Sequence, residues 1–256
     1  MAEPDDEFLP LARKAELLAR EDNGLVAVYK PSGVPSHPNR EGEVAVVMAP
    51  YDRGSESFRL EDGRRLELCN RLDSPTSGVL LLAENRECGS AIRRAFKERR
   101  VKKTYLAGVC GRPVPDTGSW RDRLVKSREK GQVRVRGGSG KGYLTAETAY
   151  RVLDCHSRMG FEASLLELNP RTGRTHQLRV QSQMRNHPIL GDKTYGDFTR
   201  NKEVRKGRGL RGLLLHAWGV RLVFEPGEGF ADFEVFTALP NWVEQGEWKI
   251  RSQESN

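Results

Sequence analysis

The sequence predicts an α+β fold: a mixed, largely antiparallel central sheet flanked by helices and loops. Two observations carry that expectation. Short apolar runs bounded by Gly and Pro recur along the chain, and successive runs are joined by turns more often than by helical segments, so hairpins outnumber crossovers. Helical spacing, with apolar residues three and four apart, is limited to a few stretches. The 256 residues are ample for a substantial core. One domain is expected over 21–245, after an acidic lead-in over 1–20 and before a tail over 246–256.

The elements follow in order. The acidic stretch Glu3 to Glu7 leads into a charged helical segment that ends near residue 20. Leu25 to Tyr29 is a strand, stopped by Lys30-Pro31-Ser32-Gly33. Pro35 and Pro38 mark a loop, and 44–49 a helical turn. Val79 to Ala83 reads as a buried strand. Over 87–100, Ala91, Ile92, Ala95 and Phe96 line one face of a helix with a charged outer side. Lys103 to Val109 returns as a strand, with Tyr105, Ala107 and Val109 on one side. Residues 127–142 are basic and Gly-rich, hence a loop or loose hairpin. Strands over 145–153 and 161–168 flank the 155–160 turn. A helix over 175–185 ends at Asn186-His187-Pro188. Residues 197–212 form a second basic loop. Strands over 213–224 and 230–236 meet at Pro226-Gly227-Glu228-Gly229.

Charge narrows the partners. The chain has 43 Lys and Arg against 35 Asp and Glu, a formal charge of +8. The basic residues concentrate in 93–103, 121–136 and 200–211, which favours phosphate contacts over scattered solvated charge. The four cysteines, Cys69, Cys88, Cys110 and Cys155, form no Cys-x-x-Cys and no zinc spacing, so no metal is expected. Cys69 lies close to Asp73 but sits between leucines, which argues for burial rather than nucleophilic work. No signal sequence or membrane-length apolar run is evident, so a cytoplasmic location without membrane attachment is expected. Gly137, Gly138, Gly140 and Gly142 form no Walker or Rossmann pattern.

Two motifs carry chemistry. Leu68-Cys69-Asn70-Arg71-Leu72-Asp73-Ser74-Pro75-Thr76-Ser77-Gly78 brings an Arg and an Asp into a turn just before the apolar strand. Alone, Asp73 reads as a turn former. The second motif, Asn169-Pro170-Arg171-Thr172-Gly173-Arg174-Thr175-His176-Gln177-Leu178-Arg179, sets three arginines and a histidine in a turn-to-helix segment. Together they suggest one acid in a basic, RNA-facing cleft.

At these motifs the chain resembles the RluA family of RNA pseudouridine synthases. Asn70-Arg71-Leu72-Asp73 with Thr76-Ser77-Gly78 resembles the family's His-Arg-Leu-Asp…Thr-Ser-Gly. Further matches follow in the family's order: Leu25 to Gly33, Lys103 to Val109, Thr172 to Arg179, His187 to Asp192 with Tyr195-Gly196, and Leu215-His216-Ala217. They span about residues 25 to 225. The resemblance implies the pseudouridine synthase fold without an N-terminal S4-type module, and a cofactor-free isomerisation of uridine in tRNA or rRNA by a monomer.

The resemblance also implies roles. Asp73 is the catalytic acid-base or nucleophile, attacking the sugar C1′ or abstracting a sugar proton. Arg179 is its counter-charge, with Arg174 the nearest rival. Tyr105 stacks on the target uracil, and Leu215 packs its other side. Arg71 reaches into the RNA to hold the nucleotide out of the stack. Lys30 is a candidate phosphate contact, although its Pro-Ser-Gly context equally makes a turn. His176 reads as a structural hydrogen-bonder. Asn70 departs from the family's usual His and cannot be protonated. Two other readings compete. One is a catalytically silent RNA-binding or ribosome-assembly protein on the same fold, which an intact Asp73, Tyr105 and Arg179 oppose. The other is a hydrolase using Asp73 with His176, which lacks a Gly-x-Ser-x-Gly elbow.

Overall fold

The computed structural model of the chain describes residues 9–40, 42–129 and 132–250. The acidic stretch Glu3 to Glu7, Lys130 of the second basic cluster and the last residues of the C-terminal tail lie outside them. The chain forms two compact units, one of residues 1–101 with 221–237, the other of residues 102–220 with 238–256.

In the first unit, β1 (Glu16–Arg20) pairs antiparallel with β2 (Leu25–Lys30). Three short strands follow: β3 (Tyr51–Asp52), β4 (Ser57–Arg59) and β5 (Arg65–Leu68). Every residue of β6 (Ser77–Ala83) is buried, as its unbroken apolar run requires, and it pairs antiparallel with both β2 and β5. Helix α1 (Arg86–Lys97) packs on β5 and β6. Cys88, Ala91, Ile92 and Ala95 form its buried stripe, and Asn85 caps its first turn by accepting from the Cys88 amide at 2.9 Å. The charged segment before residue 20, expected to be helical, instead supplies β1. Its backbone pairs along β2, and that tertiary pairing outweighs the local preference of a Glu- and Arg-rich run. Residues 44–49 make no helical turn either: Val46 and Val47 are buried in an extended stretch bridged to Leu11.

The second unit opens with β7 (Val101–Cys110), whose first residue still belongs to the first unit. It continues with the long strand β8 (Thr117–Glu129) and β9 (Gln132–Gly137), then β10 (Leu144–His156) and β11 (Ala163–Pro170). In the sheet, β7, β11, β10, β8 and β9 are neighbours in that order, all antiparallel. The basic 127–142 stretch is thus largely a regular hairpin. Helix α2 (Gln177–Met184) falls where expected. Helix α3 (Phe198–Arg208) does not, because 197–212 reads as a loop. Only Val204 of α3 is buried, so no apolar stripe announces it. Its ends do: Asp197 accepts from the Thr199 and Arg200 amides, and Gly209 closes it at φ +67°. After β12 (Leu215–Leu222) the chain returns to the first unit with β13 (Phe233–Phe236) and re-enters the second with α4 (Asn241–Gln245). The returning segment is tied to α1 and its exit: Arg94 pairs with Glu228 at 2.6 Å, and Arg100 exchanges backbone and side-chain hydrogen bonds with Val223.

Candidate active site

Asp73 is half-buried at the head of a tight turn whose backbone is closed by the Thr76 amide donating to the Asp73 carbonyl at 2.9 Å. This turn is zipped to the loop that leaves β2. The Gly33 amide donates to the Ser74 carbonyl (2.8 Å), the Ser32 hydroxyl to the Pro75 carbonyl (2.7 Å), and Ser36 Oγ both gives and takes a hydrogen bond with the Leu72 backbone (3.0 Å each). Lys30 locks the assembly. It is fully buried, and its ammonium donates to the carbonyls of Pro31 (3.0 Å), Val34 (2.6 Å) and Ser74 (3.1 Å). Burial pulls its pKa down to about 7, while the Asp73 charge pulls it back up. The phosphate contact considered for Lys30 is therefore corrected. All three protons of its ammonium go to carbonyls, and none is offered to solvent. Lys30 braces the Asp73 loop.

Arg71 is different. Its side chain is 61% exposed and pairs at 3.5 Å with the rim carboxylate of Glu56, itself half exposed. Asn70 accounts for its own departure from the family pattern. Its Oδ1 accepts from the Leu81 amide of β6 at 2.7 Å, a buttressing task for which an uncharged acceptor suffices. Cys69 is inert: its thiol donates to the Glu67 carbonyl (3.7 Å), and burial raises its pKa.

The remaining candidates stand in the second unit. Tyr105 lies on β7 opposite Leu168 of β11, partly buried against an apolar cluster that includes Leu178, Ile189, Leu213 and Leu215. Tyr105 and Leu215 thus share one cluster, and Leu178 places the start of α2 beside them. Two residues before Tyr105, Lys103 donates to the Thr172 carbonyl at 3.2 Å, and burial lowers its pKa to about 8. The Thr172-to-Gln177 turn is wired through Gln177, whose side chain joins Thr172 Oγ1, the Arg174 amide, the Glu147 carbonyl and Thr148 Oγ1. His176 takes a left-handed backbone at the head of α2 (φ +51°), and its Nδ1 lies 2.8 Å from the Tyr195 hydroxyl. That is the structural task expected of it. Arg174 is more exposed and spends its Nε on the Thr145 carbonyl.

Arg179 is buried, and its fork is fixed. Nε donates to Asp192 Oδ2 at 2.7 Å and Nη2 to Oδ1 at 2.9 Å, while the guanidinium lies 5.2 Å from the centre of the Tyr195 ring. Burial alone would raise the Asp192 pKa. The hydrogen bonds and charge of Arg179, with the Thr194 and Tyr195 amides, outweigh it and hold the carboxylate below its ordinary range. Asp192 and Tyr195 are the functional positions that sequence reasoning missed as a clamp. The available signal was a helix-borne Arg in an apolar setting, which requires an acid. The segment holding Asp192 is itself rigid: Gly191 has φ +76°, and a Cβ there would collide with the Gly212 carbonyl.

The Asp73 turn and Arg71 belong to the first unit, and Tyr105, Arg179 and Leu215 to the second. A family model described as RNA pseudouridylate synthase matches residues 24–184. The chain belongs to that family. Among its relatives, ribosomal large subunit pseudouridine synthase C of Escherichia coli (strain K12) is 34% identical over 220 residues, covering 86% of this chain and 65% of that protein. The protein of the same name from Vibrio cholerae is 32% identical over 252 residues, covering 97% of this chain and 75% of the other. The chain therefore spans about two thirds to three quarters of these relatives. Among solved structures, human RNA pseudouridylate synthase domain containing 1 superposes with a TM-score of 0.68 at 27% identity, covering 91% of this chain and 86% of the other. The human domain containing 4 gives 0.65 at 28%, covering 90% of each. The α+β fold expected from the sequence is the fold of these enzymes.

Proposed function

We propose that this chain is an RNA pseudouridine synthase acting on uridine in the RNA of the large ribosomal subunit. The observation that carries the reading is the Asp73 turn, immobilised by serine hydrogen bonds and by the buried Lys30 in a chain of this family. The names of the relatives favour ribosomal RNA over transfer RNA. The reaction breaks the N1–C1′ bond of uridine, joins C5 to C1′, removes the C5 proton and leaves N1 carrying a proton in its place. It is an isomerisation without redox change.

Asp73 is the carboxylate that acts on the sugar, by attack at C1′ or by proton abstraction. Tyr105, partly buried, offers a flat aromatic surface for the base, Leu215 belongs to the apolar cluster against which that ring packs, and Arg179 supplies a fixed positive charge. Arg71, exposed on the Asp73 turn, displaces the nucleotide from its stack, because the reacting atoms are inaccessible within a helix. Asp73→Asn tests the reading. The swap is nearly isosteric, and losing such a group costs on the order of 10² to 10⁴ in rate. Release of tritium from C5-labelled uridine in ribosomal RNA should fall by that factor while RNA affinity holds. Substantial turnover by the folded variant would remove Asp73 from the chemistry. Mapping pseudouridines in cells with and without the gene names the position.

A further inference from the structure

The three basic stretches do not share one fate. In 93–103 part of the charge is matched by acids: Arg93 pairs with Glu67, Arg94 with Glu228, and Arg100 with Glu98 and Glu228, while Lys97, Arg99 and Lys102 are exposed. On α3 the charges divide by face. Arg200 pairs with Glu203 and covers the Phe161 ring, and Arg208 bonds Glu247 and the Arg158 carbonyl. The opposite face borders a groove of about 850 Å³, lined by Lys193, Lys202, Arg205, Lys206 and Arg211 over a floor that includes Val204 and Leu210. These five cations are all exposed, and none of their side chains has a hydrogen bond or ion pair with another described residue. Among the described residues, no acid lines the groove. At its edge stands Phe198, 68% exposed and one helical turn before Lys202.

Five unneutralised cations around one concavity repel one another, which is unfavourable unless a polyanion occupies the space. An exposed aromatic ring among them is the pairing that single-stranded RNA uses, phosphates on the cations and a base on the ring. The groove also adjoins the Arg179 clamp. Asn201 of α3 accepts from the Gly191 amide (2.6 Å) and donates to the Asp192 carbonyl (3.0 Å), and Asp192 grips Arg179.

We propose that the α3 groove binds a single-stranded RNA segment flanking the target nucleotide, with its phosphates on Lys193, Lys202, Arg205, Lys206 and Arg211 and one base stacked on Phe198. This rests on the RNA-modifying reading above, but it is tested by binding rather than by turnover. The probes are an RNA stem-loop with and without single-stranded extensions. The wild-type chain should bind the extended RNA more tightly. Phe198→Ala should weaken binding to the extended RNA by about 5- to 150-fold, the range for loss of one base–aromatic stack. The combined variant Lys202→Gln/Arg205→Gln/Lys206→Gln/Arg211→Gln should lower the log–log salt slope by about 0.7 for each phosphate it no longer neutralises. Both variants should bind the trimmed stem-loop like wild type and melt at its temperature. 4-Thiouridine placed in the extension should crosslink to the peptide carrying α3. Unchanged affinity and slope on the extended RNA, or crosslinks that avoid α3, would overturn the proposal, and an acidic protein partner would then be the occupant to seek. A wild-type chain that binds extended RNA through α3 yet forms no pseudouridine would instead count against the enzymatic reading alone.

Discussion

Replacing Arg179 by Met would strand the Asp192 carboxylate, which is 1% exposed and would keep two backbone donors, the Thr194 and Tyr195 amides. At the observed separations of 2.7–2.9 Å two unit charges interact by about 6 kcal/mol for an effective dielectric near 20. Most of that gain offsets the cost of desolvating both groups, so the pair is worth little against apolar replacements. Breaking it from one side is costly, by about 3–5 kcal/mol, because a buried charge is orphaned. Arg179→Met and Asp192→Asn should each therefore lower the melting temperature by about 6–20 °C, at about 2–4 °C per kcal/mol for a chain of this size. The double variant leaves no carboxylate at position 192 to be stranded and should recover at least about 2 kcal/mol relative to the sum. Equilibrium denaturation of all four proteins closes the cycle. Losses that simply add, within about 0.5 kcal/mol, would refute the pairing. Acid supplies a second readout. The carboxylate's pKa is depressed on folding, so its stabilisation is complete above the ordinary value of 3.8 and disappears as pH falls through the lower folded value. The Asp192→Asn protein should lose that limb.

Other perturbations discriminate the remaining assignments. Burial lowers the His216 pKa to about 4, against a small opposing effect of its hydrogen bond with the Ala238 backbone. The unfolded chain thus binds the extra proton between about 6.5 and 4, and stability present above that window should fall by on the order of 3 kcal/mol across it. In denaturation at stepped pH, His216→Gln should flatten this slope, and an unchanged slope would place its origin elsewhere. Lys30→Met leaves three carbonyls without their donor, each worth about 1–3 kcal/mol when buried, and should destabilise the first unit and suppress turnover together. A stable, active Lys30→Met protein would contradict the bracing role. Arg71→Ala should change stability by no more than about 0.5 kcal/mol, because its ion pair with Glu56 is exposed. It should slow reaction on structured RNA more than on short unstructured RNA; equal defects on both would move Arg71 from base extrusion to chemistry or folding.

What the sequence made legible was what burial periodicity encodes. The stripe of α1 announced both the helix and its inward face, and the apolar runs at β6 and β7 announced strands that are buried on both faces. Helix α3 escaped because solvent, charge and its capping residues support it, with a single buried side chain for a pattern to detect. Over 127–142 the sequence left a loop and a loose hairpin both open for a related reason: most side chains of β8 and β9 are solvent-facing, and many are basic. The resemblance to the family's motifs pointed to Asp73, Tyr105 and Arg179 as candidates, but not to the groups that hold them. The Arg179 clamp joins positions 13 residues apart across a turn, and the Lys30 brace reaches 44 residues along the chain to Ser74. Such links are set by tertiary approach, and no local spacing records them. For Lys30 the surrounding sequence suits an exposed turn, while the fold makes it one of the largest fully buried side chains among the described residues.

The interleaving of the two units has a consequence for synthesis on the ribosome. The first unit draws its last segment, residues 221–237, from near the end of the chain. While that segment is untranslated, Arg94 and Arg100 lack Glu228, and the backbone of Arg100 lacks Val223. The N-terminal part of this unit therefore leaves the ribosome without the segment that completes it, and residues 102–220 of the second unit emerge before that segment does.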